Sequence, residues 1–223
     1  MNIAAATALC FIPLLTVFLC TALLSSDFRT GEGLLACILG LIAVVPIAAL
    51  QFLLDSRNIF SASSPASILV SALILNGLTE ETIKMALLSA MPAKQMKPAA
   101  FCRYSILSGL TLACFETLIY LISGYENIRL RMFTAVLIHV ACAVLDGLFA
   151  FSLKHKKADV SPFIYAVLLH GLYNYFAGFG EHSPYFPISF AVIAFAVIEC
   201  RIKFKKIAAG SSSGEEAAAP PSV

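Results

Sequence analysis

The sequence predicts an all-α integral membrane protein, a polytopic bundle of about seven transmembrane helices. Three observations predict it. Hydrophobic residues make up 60% of the 223 residues and charged residues 13%, about half the charge content of a soluble domain. The apolar residues gather in long blocks, near 3–25, 33–54, 66–92, 104–124, 132–153, 160–180 and 184–200. Each block approaches the roughly 20 residues that carry a helix across about 30 Å of hydrocarbon, whereas barrel strands cross in about ten alternating residues.

The first block has no basic n-region, and its apolar run is too long for a signal-peptide core, so it reads as a retained first helix. Connecting segments then set the orientation. With the C-terminus inside, eleven Lys and Arg fall on the inner side: Arg29, Lys94, Lys97, Arg103, Lys154, Lys156, Lys157 and four in 201–206. Three, Arg57, Arg129 and Arg131, fall outside. That asymmetry predicts an outside N-terminus and a cytoplasmic C-terminus. The segment Met91–Arg103, with Pro92 and Pro98, reads as an inner connection. Pro162, Pro184 and Pro187 lie near segment starts, where a missing N–H is tolerated. Residues 1–207 form the membrane domain, and the polar, low-complexity stretch 208–223 is expected to be a disordered cytoplasmic tail. The seven cysteines (10, 20, 37, 102, 114, 142 and 200) include no CxxC pair and read as small packing residues.

The third block places Glu80, Glu81 and Lys84 deep in a span. Three central charges cost about 7–10 kcal/mol, and its ten Leu, Ile and Val return roughly 3–6 kcal/mol. Such a helix must face partner helices or water. Asn76, Glu80 and Lys84 recur every four residues and form one polar stripe, with Glu81 about 100° away. A bland alternative is a Glu80–Lys84 ion pair, which leaves Glu81 over. The fourth block carries Glu116 near the midplane, at the depth expected for Glu80, and its Ser105, Ser108 and Gly109 permit close helix approach. The fifth carries His139 and Asp146 on one face, after Arg131. The sixth carries His170, with Asn174 one turn on. His155 and His182 read as solvated loop residues, and Glu199 with Arg201 as a surface pair.

Acidic and imidazole groups on four successive spans are functional candidates by position. Three chemistries are open to them. A Glu base can activate water against an amide, with His stabilising the oxyanion. His and Glu can hold Zn²⁺, which lowers the pKa of bound water. The same groups can relay protons or cations in a transporter. The chain contains no HExxH or Walker sequence.

Four motifs in order, Glu80-Glu81-x-x-Lys84, Phe115-Glu116, Arg131 followed by His139, and His170-x-x-Tyr173-Asn174, resemble the PrsW intramembrane proteases. Those are distant relatives of the CAAX prenyl endopeptidases and of bacteriocin-processing membrane proteins. The resemblance spans about residues 66–178. It implies a glutamate-dependent protease in a bacterial cell membrane, long classed as a candidate metalloprotease, with membrane peptides and in some bacteria anti-sigma factors as substrates. It assigns catalysis to Glu80, Glu81, Glu116, His139 and His170, with Lys84, Asn174, Asp146 and Arg131 in support. Thr117 stands where the family pattern usually has Asn. The metal-free version makes Glu80 or Glu81 the base for water; the zinc version uses His139, His170 and Glu116 as ligands. An ion-coupled transporter and an inactive membrane scaffold are the alternatives.

Overall fold

The computed structural model describes residues 3–57, 64–93, 96–124, 128–156 and 158–216. Lys94, Lys157 and residues 217–223 of the expected tail lie outside them. Among these residues seven helical rods follow one another: α1 (Ile3–Leu24), α2 (Thr30–Ser56), α3 (Pro65–Leu88), α4 (Pro98–Ile122), α5 (Ile128–Lys154), α6 (Ser161–Ala177) and α7 (Pro187–Glu216). No strand occurs among the described residues. The first five are long and apolar enough to cross a membrane. α6 has 17 residues, and the last turns of α7, through 208–216, belong to the stretch read as tail.

Helix starts follow local chemistry. Ser64 caps α3 by accepting from the Ser67 N–H in a capping box, with Pro65 directly after it. Pro98 opens α4, so the α3–α4 connection is shorter than the segment 91–103 expected from sequence: a proline in the first turn loses no hydrogen bond and starts a helix readily. α3 is not uniform. It is π-helical over Ala72–Leu78 and α-helical again from Thr79, whose N–H and hydroxyl both reach the Ile74 carbonyl.

α4 and α5 form the centre, flanked by α2 and α1 on one side and by α6 and α7 on the other. α3 lies across α2, α5 and α6. Small residues set the close crossings, as expected for Ser105, Ser108 and Gly109. A Cβ on Gly109 would come within 2.6 Å of Ala143 Cβ. One on Gly147 would collide with the Ser105 side chain, and one on Gly40 with the Ser108 carbonyl. Apolar side chains such as Leu23, Val45, Phe52 and Phe133 point outward, which is favourable in lipid.

Two local expectations change. Glu199 is buried rather than in a surface pair with Arg201; two residues along a helix turn about 200°, so the two side chains leave on opposite faces. His155 is half-buried at the end of α5, where its Nδ1 lies 2.9 Å from the Phe151 carbonyl and its ring stacks on Phe151 at 4.0 Å. His182 is exposed as expected.

Candidate active site

α3, α4, α5 and α6 bring the five candidate residues to one place. Glu80 and Glu81 leave α3 just after its π-helical segment, a feature that often accompanies functional positions. Glu116 comes from α4, His139 from α5 and His170 from α6. Glu80, Glu81, His139 and His170 are all nearly inaccessible.

The two imidazoles are held in the same manner. His170 Nδ1 donates to Glu81 Oε1, and Glu81 Oε1 also lies 2.5 Å from Lys84 Nζ. His139 Nε2 contacts Glu116 Oε2, and Glu116 Oε1 in turn lies 2.8 Å from Arg131. Each ring therefore has one nitrogen bound to a carboxylate and the other directed inward. His170 Nε2 lies 3.8 Å and His139 Nδ1 3.9 Å from Glu80 Oε2. His139 Nδ1 and Glu80 Oε2 are buried without a hydrogen-bond partner. The rings meet edge to face at 4.8 Å.

Gln51 of α2 completes the centre, and the sequence reading missed it. Its Nε2 donates to Glu80 Oε1 at 2.8 Å and lies 3.3 Å from Asn76 Oδ1, which leaves Oε2 to face the histidines. A lone amide inside an otherwise apolar span was the available signal. The Asn76–Glu80 part of the polar stripe is real, since one Gln51 side chain touches both. Lys84 instead pairs with Glu81, so the Glu80–Lys84 ion pair does not form. Asp146, from the same helix as His139, is fully buried beside Glu81 and Lys84. Asn174 does not join the histidines; with Arg131 it lines a neighbouring cavity. Thr117 is buried, and its hydroxyl has no hydrogen-bond partner.

Glu80 and Glu116 also line a cleft of about 400 Å³ between α2, α3 and α4. Its walls include Val44, Ala48, Phe52, Leu112 and Ile119, and Phe52 and Ile119 are exposed on the outer face of the bundle. The cleft thus joins the buried Glu80 and the partly exposed Glu116 to the lipid side, which suits a peptide held within a bilayer.

The donor set satisfies the chemistry of a metal site. One oxygen of Glu80 and one nitrogen each of His139 and His170 lie within 4.8 Å of one another. Carboxylates behind both rings fix their orientation, as behind metal-bound histidines generally. Glu80 therefore stands in this group, and Glu116, a ligand in the zinc version read from sequence, sits behind His139.

Comparison with known proteins covers the same stretch of chain. The model of the PrsW family intramembrane metalloproteases matches residues 33–198, a span that contains the nine residues singled out from the sequence and Gln51. The chain belongs to this family. It is 27% identical over 176 residues to Protease PrsW of Shouchella clausii (strain KSM-K16), covering 74% of this chain and 80% of that protein. No solved structure matches. As a PrsW-family member, the protein is a multi-pass membrane protein and an intramembrane peptide hydrolase. Its substrates are membrane substrates in a lipid bilayer.

Proposed function

We propose that the chain hydrolyses a peptide bond at Glu80, His139 and His170, with a divalent ion such as zinc held by these three. The observation that carries this is the pair of imidazoles, each anchored at one nitrogen by a carboxylate and aimed with the other at Glu80 Oε2. Bound there, the ion would lower the pKa of a water and polarise the scissile carbonyl. Glu81 holds the His170 tautomer with Nε2 bare, and Glu116 does the same for Nδ1 of His139. Lys84 balances the buried Glu81 charge, and Arg131 that of Glu116. Gln51 turns Glu80 Oε2 inward and keeps an amide donor at the mouth of the cleft.

A second reading has a specific observation in its favour. Tetrahedral zinc at about 2.0–2.1 Å brings its ligand atoms to about 3.4 Å apart, while the spacings here are 3.8 and 3.9 Å. A water fits between the three without any movement, and Glu80 Oε2 is then the base that takes its proton. Metal analysis of the purified protein, joined to cleavage of a single-span substrate before and after chelation, separates the two. One ion per chain, lost in His139→Ala together with activity, supports the first reading. Full cleavage by metal-free protein, abolished by Glu80→Gln, supports the second. Wild-type rates in Glu80→Gln, His139→Ala and His170→Ala would refute both.

Charge asymmetry supports an outside N-terminus and a cytoplasmic C-terminus, with the α4–α5 and α6–α7 connections outside. The family resemblance makes a membrane-anchored anti-sigma factor the first substrate to try.

A further inference from the structure

A second cavity, of about 270 Å³, touches the site from the other side. It shares Asn76 and Tyr120 with the lipid-side cleft, and is otherwise walled by Leu130, Arg131, Thr134, Tyr173 and Asn174. Its rim is Ala177, the exposed Gly178 and Phe186, where α6 ends and the connection to α7 begins. The two cavities differ in chemistry. The cleft is bordered on its open side by apolar groups that face lipid, whereas this cavity presents two amides, three hydroxyls and a guanidinium.

Between them stands Arg131. Its guanidinium lies 3.5 Å from the Tyr120 ring centroid and 2.8 Å from Glu116 Oε1. Hydrolysis consumes one water per bond: its hydroxyl joins the carbonyl carbon and its hydrogen goes to the amide nitrogen as the C–N bond breaks. That water cannot be drawn cheaply through the hydrocarbon that borders the cleft. A polar cavity with room for several waters and multiple partners for each retains them.

We propose that this cavity is the water-entry route of the enzyme, leading from the α6–α7 end of the bundle to Glu116 and Asn76, with the Arg131–Tyr120 pair as its inner partition. It rests on the hydrolytic reading only for the use made of the water; the hydration itself does not depend on that reading. Adjacent residues offer a sharp contrast. Thr134 is 2% exposed and lines the cavity, while Phe133 is 74% exposed on the outer, lipid-facing surface.

The test places single cysteines at Thr134, Asn174 and Ala177, with Phe133→Cys as the lipid-facing control, in full-length protein in lipid nanodiscs, which leave both faces open. The probe is 2-sulfonatoethyl methanethiosulfonate, which is charged and reacts with hydrated thiolates; the unsubstituted protein gives the background of its own cysteines. Asn174→Cys and Ala177→Cys should react at least about tenfold faster than Phe133→Cys, because a thiol in hydrocarbon stays protonated. Modified Asn174→Cys should then cleave more slowly with KM unchanged. Equal rates at Thr134, Asn174, Ala177 and Phe133 would overturn the proposal. So would fast labelling that raises KM and leaves kcat alone, which would make the cavity a subsite for the peptide. Loss of every cleavage activity with the labelling contrast intact would count against the hydrolytic reading and not against the water route.

Discussion

The ion pair behind His170 offers the most quantitative test of the site. Lys84 and Glu81 are 2% and 0% exposed at their side chains and lie 2.5 Å apart, so neither charge has water to fall back on. In Lys84→Met the Glu81 carboxylate keeps its contact with His170 but loses its cation, with Asp146 buried alongside. Removing one partner of a buried pair costs about 3–5 kcal/mol, whereas replacing both by apolar residues of similar volume is close to neutral. Lys84→Met should therefore lose about 3–5 kcal/mol of stability, and Lys84→Met with Glu81→Leu should regain most of it. Activity should not follow stability. In the double variant His170 Nδ1 has no acceptor, and loss of such a support typically lowers metal affinity or activity 10–100-fold. Unfolding equilibria in mixed micelles, read as a double-mutant cycle beside cleavage rates, give both quantities. A Lys84→Met loss below about 1 kcal/mol, or a double variant with wild-type cleavage, would refute the reasoning.

Other outcomes follow from single contacts. Gln51→Leu removes the donor to Glu80 Oε1 and should lower kcat about 10–100-fold, measured with expression and helix content unchanged. Gly77→Ala would push a methyl into the Val167 carbonyl, and Gly171→Ala into Leu73; each should cost about 1–3 kcal/mol by overpacking the α3–α6 crossing, measured by unfolding in mixed micelles. Asp159, in the α5–α6 connection, accepts from Lys206 at 2.8 Å and from the Ser161 hydroxyl at 2.7 Å. The Lys206 and Ser161 hydrogen bonds hold its carboxyl well below the usual range. A depressed folded-state pKa adds stability above the unfolded value, about 3.9, and this is lost as pH falls through the folded value. Hydrogen-exchange protection at the basic end of α7, taken relative to the intrinsic rate at each pH, should thus fall as the pH drops below about 4, and Asp159→Asn should remove that pH dependence.

Much of this architecture is written in composition. Seven apolar blocks match seven helical rods among the described residues, because an apolar stretch in hydrocarbon must satisfy its own backbone. Ionisable residues in the blocks marked the candidate site for the same reason: no lipid-facing position accepts Glu80, Glu81 or Lys84 at reasonable cost. Periodicity correctly put Asn76 and Glu80 on one side of α3. It could not say which carboxylate meets which cation, because Glu80 and Glu81 are adjacent and Lys84 is within reach of either along the helix.

That choice belongs to the tertiary structure. Gln51, 29 residues before Glu80, takes one of its oxygens, and His170, 89 residues after Glu81, takes Glu81; neither contact has any local signature. The division of labour between Glu80 and Glu116 has the same origin, since it depends on which imidazole nitrogen each carboxylate meets. The sequence by itself determined that acidic and imidazole groups had to be gathered inside the bundle, because the bilayer leaves them nowhere else to go. Which of them face the reacting centre and which stand behind it was decided by the small-residue crossings of α4 with α5 and of α3 with α6, whose close approach sets the angle and depth at which the side chains meet.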